Sequence, residues 1–338
     1  MDEYVQKLNS LMKSQKLDEE YIELCCGYAQ KLIDNNVPVI FDFKHLSLLL
    51  GLDTAKVAFY LFADESQYYE EVEIPKKAGG YRKIDIPSKC LKEIQSWIKR
   101  NILDNYLLHE CSFGFRKGKS IYDNAKLHVG KECVVNMDMK DFFPSIKQED
   151  VFYILYKKGY TKKVSYYLSK LLTKEGRLPQ GSPASPMISN IVAMRLDKRL
   201  SALAKKYEAA YSRYADDITF SGKRNVKNLI PIAQKIIEEE NFKVNEKKTR
   251  YAYDYQRQEV TGLIVNKKVS VPKNYLKEIR KEIYFCKKYG VSSHLIRTEN
   301  HKSFYKEHLY GKAYFVNMVD KKLGKAILQE LDSIIWEY

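Results

Sequence analysis

Two adjacent aspartates occur in the stretch YSRYADDITFSG, where Asp216 and Asp217 lie between two runs of β-forming residues. β-formers on both sides of Ala-Asp-Asp predict a strand, a tight turn and a second strand. A third acid, Asp138 in VVNMDMKDFF, lies near the end of another apolar run. If the two strands adjoin, the three acids converge, and buried acids are costly unless a cation or metal compensates them. We therefore expect this cluster to select a divalent cation, and oxygen-only ligation suits Mg²⁺.

Two such ions can activate an attacking hydroxyl and stabilise a leaving pyrophosphate, which is the chemistry of nucleotidyl transfer. The alternative is a hairpin turn that contains Asp-Asp by chance, because Asp is common in turns. Asp138 on a second apolar strand argues against that alternative.

The composition predicts a globular protein with a polyanionic partner. The chain has 338 residues, of which 45% are apolar, and a formal net charge of +15. Such an excess of positive charge repels itself unless a polyanion lies nearby, so nucleic acid is the first partner to consider. The 27 tyrosines suit stacking on bases, because each ring carries a polar tip. The alternative is a basic surface that serves solubility alone.

The cysteines and the N-terminus predict a cytoplasmic protein. None of the six cysteines forms a CxxC pair, which argues against zinc and for reduced thiols. The first residues, MDEYVQKLNS, are polar and acidic, unlike a signal peptide. No apolar run approaches the roughly 18 residues that a membrane span needs, so we expect no membrane partner.

The order of predicted elements indicates an α+β fold with an antiparallel sheet backed by helices, because steady βαβ alternation is missing. The segment VEIPKKAGGYRKIDIP predicts a hairpin with a basic tip, and ECVVNMDMKDFFPSI predicts a buried strand that ends at Pro144. QEVTGLIVNKKVSV predicts a further strand pair. Helices are predicted over 1–70, 88–105, 148–174, 187–206, 225–241 and from 273 onward. The segment 267–338 carries 15 Lys/Arg against eight Asp/Glu, so it forms a basic helical module.

Three motifs in this order resemble reverse transcriptases over roughly residues 70–265. YADD resembles the family's Tyr-x-Asp-Asp motif, NMDMKDFFPSI its first palm motif, and LPQGSPASP its Gln-Gly motif. The resemblance implies a right-hand polymerase fold with fingers, palm and thumb. Its parts would be an N-terminal helical extension (1–70), fingers (71–135), a palm (136–262, with a finger segment at about 148–185) and a basic, RNA-recognising thumb (263–338).

The resemblance also implies roles at the site. Asp138, Asp216 and Asp217 would be the catalytic residues and would hold two Mg²⁺ ions. Phe143 lies where the family keeps an aromatic ring that excludes a ribose 2′-hydroxyl; the alternative is a core phenylalanine. Arginine binds phosphate through a planar fork, which suits a triphosphate contact in the hairpin, although a solvated basic tip is the alternative. The nucleotide contacts would be Arg82, Lys76 or Lys77, Asp141, Phe143, Gln180, Gly181, and Lys247 or Lys248.

Two further motifs resemble signatures of bacterial retron reverse transcriptases: Asn124-Ala125-x-x-His128 and Val260-Thr261-Gly262. This resemblance implies an enzyme that binds its own structured non-coding RNA and primes from a guanosine 2′-hydroxyl. The product is a branched RNA–DNA molecule, made from dNTPs, and such systems commonly act in anti-phage defence with a separate effector protein.

RNA or template contacts would combine stacking rings with cations. The residues expected to make them are Arg116, Asn124, His128, Tyr214, Lys287, Lys288 and Tyr310. The alternatives are a structural histidine for His128 and an ordinary basic amphipathic bundle for the C-terminal residues.

Two other functions stay open at this point. One is a different bacterial reverse transcriptase, such as a group II intron-like, diversity-generating or other defence-associated enzyme. The other is a non-catalytic RNA-binding scaffold with a polymerase fold. Three acids that face RNA phosphates would weaken binding by a scaffold, which argues against the second.

Overall fold

A computed structural model describes residues 2–75, 79–300 and 302–336, and the chain divides into two compact units. Unit 1 comprises Met1–Phe115, Met139–Arg199 and Ile236–Lys243, and unit 2 comprises Arg116–Asp138, Leu200–Lys235 and Val244–Tyr338. These two units are defined by internal contacts alone. The division into extension, fingers, palm and thumb stays a prediction.

The described residues form helices throughout the chain. In chain order these are α1 (Glu3–Ser14), α2 (Glu19–Asp34), α3 (Phe43–Leu50), α4 (Thr54–Phe62), α5 (Lys89–Asn101), α6 (Ile121–Lys126), α7 (Phe142–Ser145), α8 (Gln148–Lys157), α9 (Lys162–Leu172), α10 (Ser185–Val192), α11 (Met194–Lys206), α12 (Ile230–Glu239), α13 (Lys273–Tyr289), α14 (Val291–Arg297), α15 (Tyr305–Val319) and α16 (Lys321–Asp332). Short 3-10 helices lie at Glu65–Gln67, Leu103–Asn105, Arg224–Leu229 and Glu246–Lys248.

The strands are few and short. They are β1 (Tyr69–Pro75), β2 (Tyr81–Pro87), β3 (Cys133–Lys140), β4 (Ala210–Tyr214), β5 (Asp217–Gly222), β6 (Lys243–Val244), β7 (Arg250–Tyr253), β8 (Glu259–Val260) and β9 (Leu263–Ile264).

Unit 1 begins with the predicted N-terminal helices, and side-chain caps explain where they start. Asp2, Asp18 and Asp42 each accept a hydrogen bond from a backbone N–H in the first turn of α1, α2 and α3. Gly51 ends α3 with a left-handed φ of 64°, and Asp53 is the N-cap of α4. A glycine at this position ends α3 without the steric cost that a Cβ would bring, so α3 and α4 are separate helices.

The predicted hairpin is confirmed as the antiparallel pair β1–β2, in which Ile74 lies opposite Arg82. Its base is fixed by a nearly buried cation, since Lys174 Nζ donates to Glu71 Oε1 and Asp85 Oδ1, each at 2.6 Å. Lys76 and Lys77, the expected basic tip, lie outside the described residues.

A five-stranded sheet has the strand order β4-β5-β3-β6, and β7 also pairs with β3. The pairings β3–β5, β3–β7 and β4–β5 are antiparallel, as predicted. The expected strand end at Pro144 is wrong, because β3 ends at Lys140. Asp141 takes a left-handed φ of 50° there and starts the short helix α7.

Two predicted long helices are each two shorter ones. The helix expected over 148–174 is α8 and α9, separated at Gly159, whose φ is 118°. The helix expected over 187–206 is α10 and α11. Periodicity alone does not reveal such breaks, because the apolar pattern continues on both sides of each.

The core of unit 2 joins the sheet to the C-terminal helices α13–α16. Its buried residues include Ala125, Val134, Val260, Ile279, Ile283, Leu309, Val316 and Ile327. α15 and α16 approach closely at Gly324, where an added Cβ would lie 2.2 Å from Asn317 Cα. A larger side chain at Gly324 would therefore force these two helices apart.

All six cysteines are free thiols. Within residues 2–75, 79–300 and 302–336, no single helix has the length and apolarity to cross a bilayer. The bent pair α3–α4 meets that test only by length and composition.

Candidate functional site

The sheet places two of the three acids directly opposite each other. In the antiparallel pair β3–β5, Asp138 lies across from Asp217. Asp216 occupies the two-residue turn between β4 and β5, since Tyr214 pairs with Asp217. The two strands therefore adjoin, as the prediction required, and Asp216 lies in the turn beside the aligned pair Asp138 and Asp217.

The turn that carries Asp216 has an unusual backbone. Ala215 has a left-handed φ of 57°, a conformation that costs free energy for any residue with a Cβ. The side chain of Arg213 is fully buried, and its Nη1 donates to the Ala215 carbonyl at 3.0 Å. Arg213 thus stabilises the strained turn, a role that the sequence did not indicate.

The negative charges of the acids raise the pKa of the groups around them. Partial burial, together with the charges of Asp216 and Asp138, raises the pKa of Asp217 to about 6. Lys248 Nζ donates to both carboxylate oxygens of Asp138, at 3.0 and 2.9 Å. The hydrogen bond to Asp138 in turn raises the pKa of Lys248. Of the two candidate lysines, Lys248 therefore contacts the acids, through its ion pair with Asp138.

The carboxylates of Asp138, Asp216 and Asp217 are the oxygen ligands that a divalent cation prefers, although they do not surround a common point. Within the part of the chain that the structure describes, no three acidic, histidine or cysteine ligands are close enough to enclose an ion. Asp138 has its oxygens on the Lys248 ammonium instead. Even with Lys248 and Arg250 nearby, the pKa of Asp217 stays raised by burial and the other acids, so a further cation would relieve repulsion there.

A cavity of about 250 Å³ lies beside the acids. Its lining includes Asp138, Asp217, Lys248, Arg250 and Thr261. Thr261 has a left-handed φ of 46° in the turn between β8 and β9. The Val-Thr-Gly motif is thus part of the site, which its sequence position did not reveal.

The two retron-like motifs contact each other within unit 2. Asn124 Nδ2 donates to Thr261 Oγ1 at 3.4 Å. Asn124 is 1% exposed, so the prediction that its side chain contacts RNA is wrong. Its contact with Thr261 gives it a positioning role beside the cavity.

His128 is also an internal residue. It is 0% exposed, with Nδ1 at 2.7 Å from Ser221 Oγ and Nε2 at 2.8 Å from Ser212 Oγ. Burial lowers its pKa to about 3, so the ring is neutral. The predicted RNA contact of His128 is wrong, and the structural alternative is correct: the ring joins the segment that follows α6 to strands β4 and β5.

In unit 1, two expected nucleotide contacts are accessible on the surface. Arg82 is exposed on β2, and Asp141 is exposed at the start of α7. Among the described residues, Arg82 forms no ion pair, so its guanidinium is available to an anion.

Phe143 is half-buried, whereas its neighbour Phe142 is a core residue that packs on Phe242. The Phe143 ring lies 6.0 Å from the ring of Phe115, which the sequence did not single out. The position of Phe143 at the surface therefore favours a contact role over the core alternative.

Gln180 and Gly181 lie against the hairpin strand β2. The Asp85 N–H donates to the Gln180 carbonyl at 3.2 Å. A Cβ at Gly181 would lie only 2.1 Å from the Asp85 carbonyl oxygen. Glycine is required at position 181 because the backbone there packs directly on the backbone of β2. This packing explains the glycine independently of the expected nucleotide contact.

The other expected RNA contacts lie partly or fully at the surface. Arg116 and Tyr214 are half-buried, and Lys287 and Lys288 are exposed. The hydroxyl of Tyr310 donates to Asp332 Oδ1 at 2.7 Å. Their roles in binding RNA stay predictions.

Comparisons with known proteins show the family of the chain. Residues 74–276 match the family "Reverse transcriptase (RNA-dependent DNA polymerase)". The chain is 34% identical to the Retron Mx162 reverse transcriptase of Myxococcus xanthus, over 89% of this chain and 68% of that one. It is also 34% identical to the Retron Ec86 reverse transcriptase of Escherichia coli, over 91% of this chain and 94% of that one. A solved telomerase structure from Candida albicans covers 80% of this chain and 61% of its own, with 12% identity and a TM-score of 0.46.

The chain therefore belongs to the reverse transcriptase family: it is an RNA-directed DNA polymerase with the right-hand polymerase fold. Within that family it is a retron reverse transcriptase, and RNA is its template. The family generally uses divalent metal ions.

Proposed function

We propose that this enzyme copies part of a cognate structured non-coding RNA into DNA that stays joined to the RNA by a 2′–5′ branch. The observation that carries the catalytic part is the placement of Asp138 opposite Asp217, with Asp216 in the adjoining turn. The relatives named as retron reverse transcriptases support an RNA template. The motifs at residues 124–128 and 260–262, which resemble retron signatures, motivate priming from a guanosine 2′-hydroxyl.

In this proposal Asp138, Asp216 and Asp217 hold two Mg²⁺ ions. Bound there, the ions supply activation of the attacking hydroxyl and charge neutralisation at the leaving pyrophosphate. Lys248 lies at 2.9 Å from Asp138, where its ammonium would release the carboxylate and bind phosphate oxygens instead. Because it is a proton donor, Lys248 is also placed to protonate the leaving pyrophosphate.

Unit 1 would supply the selectivity for deoxynucleotides. The half-buried Phe143 ring, which packs on Phe115, would exclude a ribose 2′-hydroxyl. The exposed Arg82 would bind the triphosphate through its planar fork, with Asp141, Gln180 and Gly181 as further contacts. The basic tip at Lys76 lies outside the described residues and keeps its expected role as a prediction.

The remaining parts of the proposal concern partners. The basic C-terminal helices, with Lys287, Lys288 and Tyr310, would recognise the RNA. Lys288 Nζ lies 5.5 and 5.1 Å from the rings of Tyr284 and Tyr289, an arrangement of cation and aromatics suited to RNA. A separate effector protein, a role in anti-phage defence and a cytoplasmic location complete the proposal.

The test is to purify the enzyme with its RNA, add dNTPs and Mg²⁺, and sequence the product. We expect DNA joined to a guanosine 2′-oxygen of the RNA, resistant to RNase but released by a debranching enzyme. Asp216→Asn should abolish the product while the circular dichroism spectrum and RNA binding stay unchanged. Product from that variant would overturn the assignment of the acids, and a 3′–5′ junction would overturn branching alone.

A further inference from the structure

Three tyrosines form a ladder on β7 and the residue pair that follows it, and we name Tyr251, Tyr253 and Tyr255 the tyrosine ladder. The rings of Tyr251 and Tyr253 have centroids 5.5 Å apart and meet edge to face. The rings of Tyr253 and Tyr255 are stacked, with centroids 5.6 Å apart and planes 28° apart. Alternate residues of a strand share one face, which places Tyr251 and Tyr253 on the same side of β7, and Tyr255 joins them by stacking on Tyr253.

The tyrosine ladder lies on the opposite face of the sheet from the catalytic acids. Tyr251 pairs with Val135, and cross-strand partners point to the same face. Asp138 is three residues beyond Val135 on the same strand and so points the other way. The acids and the tyrosine ladder therefore lie on opposite faces of β3 and its neighbouring strands.

Two cations lie over the tyrosine ladder. Lys227 Nζ is 5.5 Å from the ring centroid of Tyr251 and 5.7 Å from that of Tyr253. Arg224 Cζ is 5.7 Å from the Tyr253 centroid, and its Nη2 is 3.7 Å from Asp254 Oδ1. A hydrogen bond with Tyr253 raises the pKa of Lys227, so the lysine is held in its charged form against the ladder.

Two of the three rings of the tyrosine ladder are exposed to solvent. Tyr251 is 46% exposed and Tyr255 is 72% exposed. Tyr255 comes after Tyr253, the last residue of β7, so its ring packs on Tyr253 from one side and is otherwise open to solvent. Rings in a row beside the Lys227 ammonium present stacking faces for bases and a positive charge for phosphates.

We propose that the tyrosine ladder binds a single-stranded stretch of the enzyme's RNA outside the part that is being copied. Single-stranded RNA is recognised by splayed bases that stack on aromatic side chains, with cations on the backbone. This inference rests on the proposed function, in which part of the RNA is copied at the acids, and the ladder lies on the other face of the sheet. This second contact would hold flanking RNA while the acids act on the template.

The test uses the intact enzyme preloaded with a short RNA template and a dideoxy-terminated DNA primer, so that the polymerase site is filled. A fluorescein-labelled oligouridine is then titrated, and its anisotropy is measured. We expect Tyr255→Ala to weaken oligouridine binding about tenfold, because stacking is lost, and Tyr255→Phe to bind like the wild type. Lys227→Met should weaken binding and lower the slope of log affinity against log salt by about one.

The matched control is Tyr21→Ala, which removes a similarly exposed ring from α2 and should leave oligouridine binding unchanged. Primer extension should be the same in all four variants. Binding by Tyr255→Ala equal to that of the wild type would overturn the proposal. So would an equal loss in Tyr21→Ala, or a Tyr255 effect seen with oligothymidine but not with oligouridine.

Discussion

Lys248 Nζ holds both carboxylate oxygens of Asp138, at 3.0 and 2.9 Å, at the edge of the sheet where Asp216 and Asp217 also lie. A lysine and a divalent ion compete for the same oxygens, since each binds them through its positive charge. The enzyme without metal therefore carries an internal cation that metal binding has to displace.

Lys248→Ala should separate these two roles of the lysine. We expect half-saturation at a lower Mg²⁺ concentration, because competition for Asp138 is removed. The maximal rate of nucleotide addition should fall by about 10²-fold, the scale of a lost proton donor. Single-turnover extension over a range of Mg²⁺ concentrations measures both quantities, and Lys247→Ala is the control. A higher Mg²⁺ requirement in Lys248→Ala would contradict the competition.

Replacement of Asp217 by asparagine should change the pH dependence of stability. The pKa of Asp217 is raised to about 6 by burial and the neighbouring acids, so the folded wild type loses stability as pH rises from about 4 through 6. Asp217→Asn should remove this loss, and its thermal midpoint should exceed that of the wild type more at pH 7 than at pH 4.5. Melting curves in EDTA measure the effect, and solvent screening keeps it small. An equal difference at both pH values would contradict the raised pKa.

Phe143→Ala should let the enzyme accept ribonucleotides. Removal of the ring opens space for a 2′-hydroxyl, and we expect the ratio of kcat/KM for dNTP over rNTP to fall by about tenfold or more. The neighbouring core residue gives the control: Phe142→Leu should lower the free energy of unfolding by about 1 kcal/mol without a change in this ratio. Unchanged selectivity in Phe143→Ala would show that another residue excludes the hydroxyl.

Two glycine substitutions should have opposite effects on stability. Gly181→Ala places a Cβ at 2.1 Å from the Asp85 carbonyl oxygen, and we expect a loss of about 1–3 kcal/mol together with reduced polymerase activity. Gly27→Ala meets no atom within 4 Å in helix α2 and should stabilise by about 0.5–1 kcal/mol. Urea denaturation compares the two, and a neutral Gly181→Ala would contradict the close contact with β2.

His128→Ala should damage the fold and spare RNA recognition. It leaves the hydroxyls of Ser212 and Ser221 without their partner, at a cost of about 2 kcal/mol or more. The folded fraction should bind RNA like the wild type. Because burial lowers the pKa of His128 to about 3, the wild type should also lose stability as pH falls below about 6.5. That loss should be weaker in His128→Gln; weaker RNA binding at full stability would contradict the internal role.

The sequence predicted the parts of the site that depend on residue type and alternation. Asp138 lies near the end of one apolar strand and Asp217 begins another, and antiparallel pairing of the two strands brings the acids together. The contact roles of Asn124 and His128 were wrong, because a short polar helix does not reveal which of its side chains point inward. The buried Arg213 and the bridge from Lys174 to Asp85 depend on contacts between distant segments. The left-handed Ala215 contradicts the usual preference for glycine, so no local rule predicted it.

The two-residue turn between β4 and β5 makes the length of this hairpin as important as its composition. Asp217 faces Asp138 only while Tyr214 remains its partner on β4. One inserted or deleted residue that shifted β5 by a single position would place Ile218 or Asp216 in that alignment and turn the carboxylate of Asp217 to the opposite face. A single substitution at the surface of the hairpin leaves this register unchanged. A change in the length of the hairpin shifts the register of β5, so that an apolar side chain takes the place of the Asp217 carboxylate.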